Sequence, residues 1–123
     1  VRQRQPRRES SAHLARIRKL PCCVCGSRQR IEAAHIRYGD PAFDKPITGK
    51  AEKPDDRWAV PLCAEHHREG PDAQHGEGER GWWERMTINP LELARSLSST
   101  QDLQEMEAAI LALHSPMRNG SNR

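Results

Sequence analysis

The chain is poor in the material from which a large core is built. Of its 123 residues 35% are hydrophobic and 4% aromatic, with one Tyr and one Phe beside three Trp. A core that thin leaves a small domain in need of a staple, either disulfide or metal. No apolar run approaches the length of a membrane helix or of a secretion signal, so a soluble, cytoplasmic protein with no membrane partner is expected. Acidic residues are nearly missing from the first quarter. Residues 1–30 hold nine Arg and Lys against Glu9 alone (+8), and the remainder holds 11 against 16 (−5), which recovers the net +3. A basic arm on a near-neutral body is the footprint of a polyanion binder, although a solvated tail has the same composition. No internal repeat is evident.

What is present divides into an arm, one domain and a tail. Residues 1–9 carry Arg2, Arg4, Arg7 and Arg8 with almost no apolar content, and should be disordered unless a partner orders them. A single α+β domain is expected over 10–114, with a polar tail at 115–123. Ser10 or Ser11 can cap a helix running to about Leu20, where Pro21 stops it. Residues 22–40 read as a tight turn between two short strands, the second at about 30–37. The polar stretch 38–57 reads as a long loop, of the kind that often carries function. Trp58–Leu62 is a short apolar strand, and Cys63 opens a helix that Gly70-Pro71 interrupts. Asn89-Pro90 starts another helix, and Thr100 is expected to cap a last one over 101–114.

The four cysteines are not spaced like a disulfide framework. Cys22 and Cys25 form a C-x-x-C pair followed by Gly26, and Cys63 and His66 form a C-x-x-H pair. Two intervening residues let both donors of a pair close on one tetrahedral ion, and glycine permits the turn such a knuckle needs. The expectation is one structural zinc on Cys22, Cys25, Cys63 and His66, with 37 residues between the pairs. Cys23 is left over as a small buried residue. A redox role for Cys22–Cys25 lacks the βαβ context such motifs occupy.

Six histidines are many for this length. His13 and His114 sit on flanking helices and are read as structural or exposed. His35 lies on a strand-like segment, where a histidine is often simply hydrogen-bonded in place. His67 follows the zinc ligand His66 and so points away from the knuckle. His75 follows the Gly70-Pro71 break and either returns to that side or stays a loop residue.

Taken in order, the motifs P-C-x-x-C-G (Pro21–Gly26), A-A-H-I-R (Ala33–Arg37), G-K-x-x-K-P-D-D (Gly49–Asp56), V-P-L-C-x-x-H-H (Val60–His67), A-Q-H (Ala73–His75) and G-E-R-x-W-W (Gly78–Trp83) resemble the HNH nuclease superfamily in its zinc-containing treble-clef form. Small phage and prophage proteins are similar, as is the globular part of the Ref-type recombinase-dependent nucleases. The resemblance implies a ββα-metal core with flanking helices and a metal-dependent DNA endonuclease. It makes His35 the general base, and histidine's ordinary titration near neutral pH suits that task. It makes His67 and His75 ligands of a second, catalytic divalent ion (magnesium or manganese, or zinc), with Arg37 and Lys50 near the phosphate. Two departures stand out. Ala34 replaces the ligand many relatives carry before the base, and no Asn lies near Trp58 to orient it, so that Asp55 or Asp56 is left to substitute. The alternative is a catalytically inactive zinc module that binds DNA or a recombinase filament.

Overall fold

The computed structural model describes residues 10–46, 55–74 and 78–114. Helix α1 spans Ser11–Ile17, strand β1 Ile31–His35 and strand β2 Ala59–Cys63; helices α2 (Glu79–Met86), α3 (Pro90–Ser98) and α4 (Leu103–Leu113) follow. The fold is a small α+β arrangement around one two-stranded antiparallel sheet. The arm 1–9 and the tail 115–123 lie outside the described residues. No described helix is long and apolar enough to cross a membrane.

The β1–β2 register pairs Ile31 with Cys63, Ala33 with Pro61 and His35 with Ala59. Pro61 can sit here because of that register. Its carbonyl accepts the Cys23 N–H at 3.0 Å, so the backbone polar groups of Pro61 point away from β1 and the missing N–H removes no ladder bond. Every residue of β2 is buried, which explains its unbroken apolar run AVPLC. The first of the two strands expected within 22–40 does not form. Those residues are the knuckle turn, and β1 finds its partner across the long loop instead.

Between β2 and the next segment the chain makes one wide turn, Glu65–Glu69, closed by the Gly70 N–H onto the Glu65 carbonyl at 2.8 Å. This is an i→i+5 bond, looser than the α-helical turn that the sequence predicts. It also explains the glycine: a Cβ at residue 70 would lie 2.9 Å from that same carbonyl oxygen and 2.6 Å from the Glu65 side chain.

The helices close over the sheet. Ser10 caps α1, its side chain accepting from His13 N–H at 3.1 Å, and the helix ends at Ile17, short of the expected Leu20. Helix α2 has no counterpart in the sequence reading. It buries Trp82 and Trp83 completely, with their rings edge to face at 4.9 Å, and Trp82 Nε1 donates to the Asp72 carbonyl. Asn89 caps α3 as expected, accepting from the N–H groups of Leu91 and Glu92. The α4 cap is Asp102 and not Thr100. Asp102 accepts from Gln104 N–H at 2.8 Å, while Thr100 accepts the Asp102 N–H one step earlier. The buried core joins Ile17, Leu20, Ile36, Leu62, both tryptophans, Leu91, Leu97, Met106 and Ile110.

Asn89 satisfies two N–H groups that no helix carbonyl can reach. Asn89→Ala should therefore lower the unfolding free energy by about 1 kcal/mol. The check is the urea midpoint of the metal-loaded protein, and an unchanged midpoint would contradict the cap.

Candidate metal centre and histidine pairs

Cys22, Cys25, Cys63 and His66 come together as the sequence predicts. One ligand atom from each lies within 4.8 Å of all the others, and all four cysteines are free thiols. A tetrahedral ion with metal–sulfur bonds of about 2.3 Å and metal–nitrogen bonds of about 2.0–2.1 Å sets S···S edges of about 3.8 Å and S···N edges of about 3.6 Å. Cys25 Sγ and Cys63 Sγ are 3.8 Å apart, and Cys63 Sγ is 3.3 Å from His66 Nδ1. The cluster could therefore hold a structural ion such as zinc.

Local backbone builds the site. Cys22 N–H donates to Ser27 O, Gly26 N–H donates to Cys22 O, and Val24 N–H points at Cys22 Sγ from 3.4 Å. Gly26 holds a φ of +80°, a conformation that excludes most side chains. The other two ligands come from the last residue of β2 and the wide turn after it. Partial burial, then the Cys22 and Cys63 sulfurs, push the Cys25 thiol up to about 11, against a backbone N–H from Ser27 that lowers it. Three sulfurs this close ionise together only around a cation.

Two further histidines are braced by carboxylates. His35 Nε2 lies 2.8 Å from Asp56 Oδ1, and Asp56 Oδ2 accepts the Ser10 N–H at 2.7 Å. The Asp56 side chain is 6% exposed against 23% for His35, so the carboxylate is sheltered while the imidazole reaches solvent. Of the two acidic substitutes the sequence offered, Asp56 is the one on His35. His67 Nδ1 lies 2.7 Å from Glu32 Oε1. Glu32 is also gripped by the Arg68 guanidinium, and Arg68 first, then His67, holds its carboxyl down at about 2.

Glu32 and His35 are three residues apart on β1 and so stand on opposite faces of the strand. The structure joins His35 to Asp56 and His67 to Glu32. Among the described residues it does not merge the two pairs into one ligand cluster. Arg37 is half-buried and gives its backbone N–H to Glu79. His75, Lys50, Arg2, Arg4, Arg7 and Arg8 lie outside the described residues.

The structure also gives definite surroundings to residues that the sequence left as structural or exposed, and to Lys45, which it did not single out. His13 is 7% exposed, its Nε2 has no hydrogen-bond partner, and burial, then Arg16, lowers its pKa, with Asp56 opposing. Lys45 is buried, with Nζ on the carbonyls of Arg37 and Pro46. His114 caps the end of α4 and donates from Nε2 to Cys23 O at 2.8 Å, fastening the last helix to the knuckle. A helix position such as that of His13 gives no sequence signal of burial beside an acid 43 residues away.

Two outcomes follow. First, the isolated chain should retain one zinc after dialysis, and Cys63→Ser should lose it and melt far below the parent. Structural zinc contributes on the order of 10 kcal/mol of apparent binding free energy. A mutant that melts like the parent would contradict the staple. Second, His13 has a folded pKa below its unfolded value of 6.5. Its contribution is complete above the unfolded pKa and is lost as pH falls through it towards the lower folded value. His13→Gln should flatten the decline of stability just below pH 6.5, as read by urea melts; an identical decline in both proteins would contradict the assignment.

Comparison with family models, with curated proteins and with solved structures yields no significant match. What characterises the chain is therefore its geometry, a Cys₃His cluster able to hold a metal, set beside two carboxylate-braced histidines.

Proposed function

We propose that this chain is a metal-dependent DNA endonuclease of the HNH type, with a structural zinc in the Cys₃His cluster and His35 as general base. The observation that carries this reading is the His35–Asp56 pair. A sheltered carboxylate on one ring nitrogen fixes the ring and its tautomer, and leaves the other nitrogen as the proton acceptor. With Nε2 donating to Asp56, Nδ1 is the atom that takes a proton from the attacking water. Asp56 then stabilises the imidazolium that forms.

The second part of the reading rests on the Glu32–His67 pair, although Glu32 leaves β1 on the face opposite His35. Metal-ligating histidines usually give their other ring nitrogen to a carboxylate or carbonyl, and Glu32 occupies Nδ1 in that way. His67 would hold a catalytic magnesium or manganese through Nε2, with His75 as its companion. Such an ion, when bound, offsets charge on the scissile phosphate and on the leaving oxygen. Arg37, Lys50 and the arm arginines Arg2, Arg4, Arg7 and Arg8 supply positive charge for the DNA backbone. The competing reading is a zinc-containing DNA- or recombinase-binding module without catalysis. It draws on Ala34, which puts a methyl group where many HNH proteins place a ligand.

The test is single-turnover cleavage of plasmid DNA in magnesium or manganese. His35→Ala should reduce the rate by about 10²–10⁴-fold while zinc content, melting and DNA affinity stay near parental. Asp56→Asn should also be slow, because an amide removes the charge and can accept from only one of the two donors, His35 Nε2 and the Ser10 N–H, that the carboxylate holds. Cleavage by His35→Ala at the parental rate would remove His35 from the mechanism. DNA binding with no cleavage by the parent would favour the binding module.

A further inference from the structure

Behind the His35–Asp56 pair lies a cleft of about 470 Å³ that the general-base mechanism does not use. Ser10, His13 and Arg16 from α1 form one wall; Asp56, Arg57 and Thr100 form much of the rest. Its cations are notable for their partners. Neither Arg16 nor Arg57 has an acidic partner among the described residues, and Arg16 Nε is buried with no hydrogen bond at all. Arg57 is held by stacking alone, its guanidinium 4.9 Å over the Trp58 ring. That contact orients the group and leaves its N–H donors uncommitted. His13 adds a second buried nitrogen without a partner. Its Nε2 is shielded from water and unpaired, in a residue 7% exposed. Burying polar nitrogens without partners is costly unless a ligand completes them. The one anion in the wall, Asp56, is already engaged by His35 and the Ser10 N–H.

Two guanidiniums, an imidazole and the Ser10 hydroxyl fit one ligand chemistry, a phosphate group; the Thr100 hydroxyl already donates to Glu105. Planar guanidiniums recognise phosphate oxygens in bidentate fashion. We propose that this cleft binds a phosphate of the nucleic-acid strand next to the one presented to His35. Asp56 is common to both places: one carboxylate oxygen meets His35, and the residue lines the cleft. A strand seated in the cleft is thereby registered against the base, and Arg16, Arg57 and His13 act as positioning and binding groups, not as catalytic ones. This inference rests on the nuclease reading for the identity of the strand, but the cleft itself does not depend on cleavage.

The experiment uses the full zinc-loaded chain. Histidine ¹⁵N resonances are followed during titration with a short single-stranded oligonucleotide and, in parallel, with inorganic phosphate. Oligonucleotide affinity is then measured against salt for Arg57→Gln, Arg16→Gln and, as control, Arg28→Gln, whose guanidinium is already paired with Glu107. The expected result is a shifted His13 resonance with both ligands. Arg57→Gln should weaken oligonucleotide binding several-fold and reduce the salt slope by about 0.7, the value for one phosphate contact on a single strand. Arg28→Gln should change neither. Arg57 is exposed, so this variant remains informative if Arg16→Gln fails to fold. Oligonucleotide binding with a silent His13 and unchanged slopes in both cleft variants would overturn the proposal while leaving the nuclease reading intact. A His13 response to phosphate but not to bound oligonucleotide would overturn the assignment to a strand. If the chain binds no oligonucleotide, the nuclease reading and the strand assignment fail together, and a His13 shift with phosphate would show that the cleft still takes an anion.

Discussion

The convergence of three sulfurs and one imidazole is the constraint from which the rest of the structure hangs. Cys22 and Cys25 belong to a turn with little regular structure of its own. Cys63 and His66 belong to the end of β2 and the wide turn beyond it. The cluster, a few hydrogen bonds and the shared burial of Cys22, Cys23, Leu62 and Cys63 join these segments, within an apolar core that is small. Crowded thiolates repel unless a cation sits between them, so an ion such as zinc, bound by all four residues, would fasten this junction. Its consequences spread outward. The Cys23 N–H meets the Pro61 carbonyl on the outer edge of β2. The Cys23 carbonyl receives His114 from the end of α4. Arg30, just ahead of β1, pairs bidentately with Glu69 at the end of the wide turn.

With β2 anchored at Cys63, the register of β1 is set, and register decides which side chains meet which surroundings. A slip of one residue would exchange the faces of Glu32 and His35. The native pairing puts His35 opposite Ala59, one rung before Ile36 joins Trp58. That places the imidazole where the chain leaves β1 and where the short turn Asp56–Trp58 enters β2, so Asp56 reaches it at 2.8 Å. The same strand directs Glu32 to His67. Helix α1 completes the arrangement from outside the sheet: Ser10 caps the helix with its hydroxyl and holds Asp56 with its N–H. One residue thus couples a local helix signal to the orientation of the histidine pair.

The parts of this arrangement legible in the sequence are those written as local spacing. The C-x-x-C-G and C-x-x-H pairs give the cluster because ligand geometry acts over two or three residues. Asn89-Pro90 gives the start of α3 because capping is equally local. Helix α2 was not legible: Glu79–Met86 has only Trp82, Trp83 and Met86 as apolar residues, and adjacent tryptophans make no helical stripe, yet both are buried in the core. The choice between Asp55 and Asp56 could not be made either, since it depends on a three-residue turn that rotates one carboxylate inward. Thr100 and Asp102 are both capable caps, and the choice between them depends on where the connection from α3 ends. The burial of His13 against Asp56 is purely tertiary and leaves no trace in either local sequence.

The Cys₃His cluster can staple the fold only as one tetrahedral ion bound by three sulfurs and a nitrogen. X-ray absorption at the zinc edge of the purified chain tests this most directly. The predicted first shell is three sulfurs at about 2.3 Å and one nitrogen at about 2.0–2.1 Å. A shell of nitrogen and oxygen only, or a folded chain with no zinc, would contradict it.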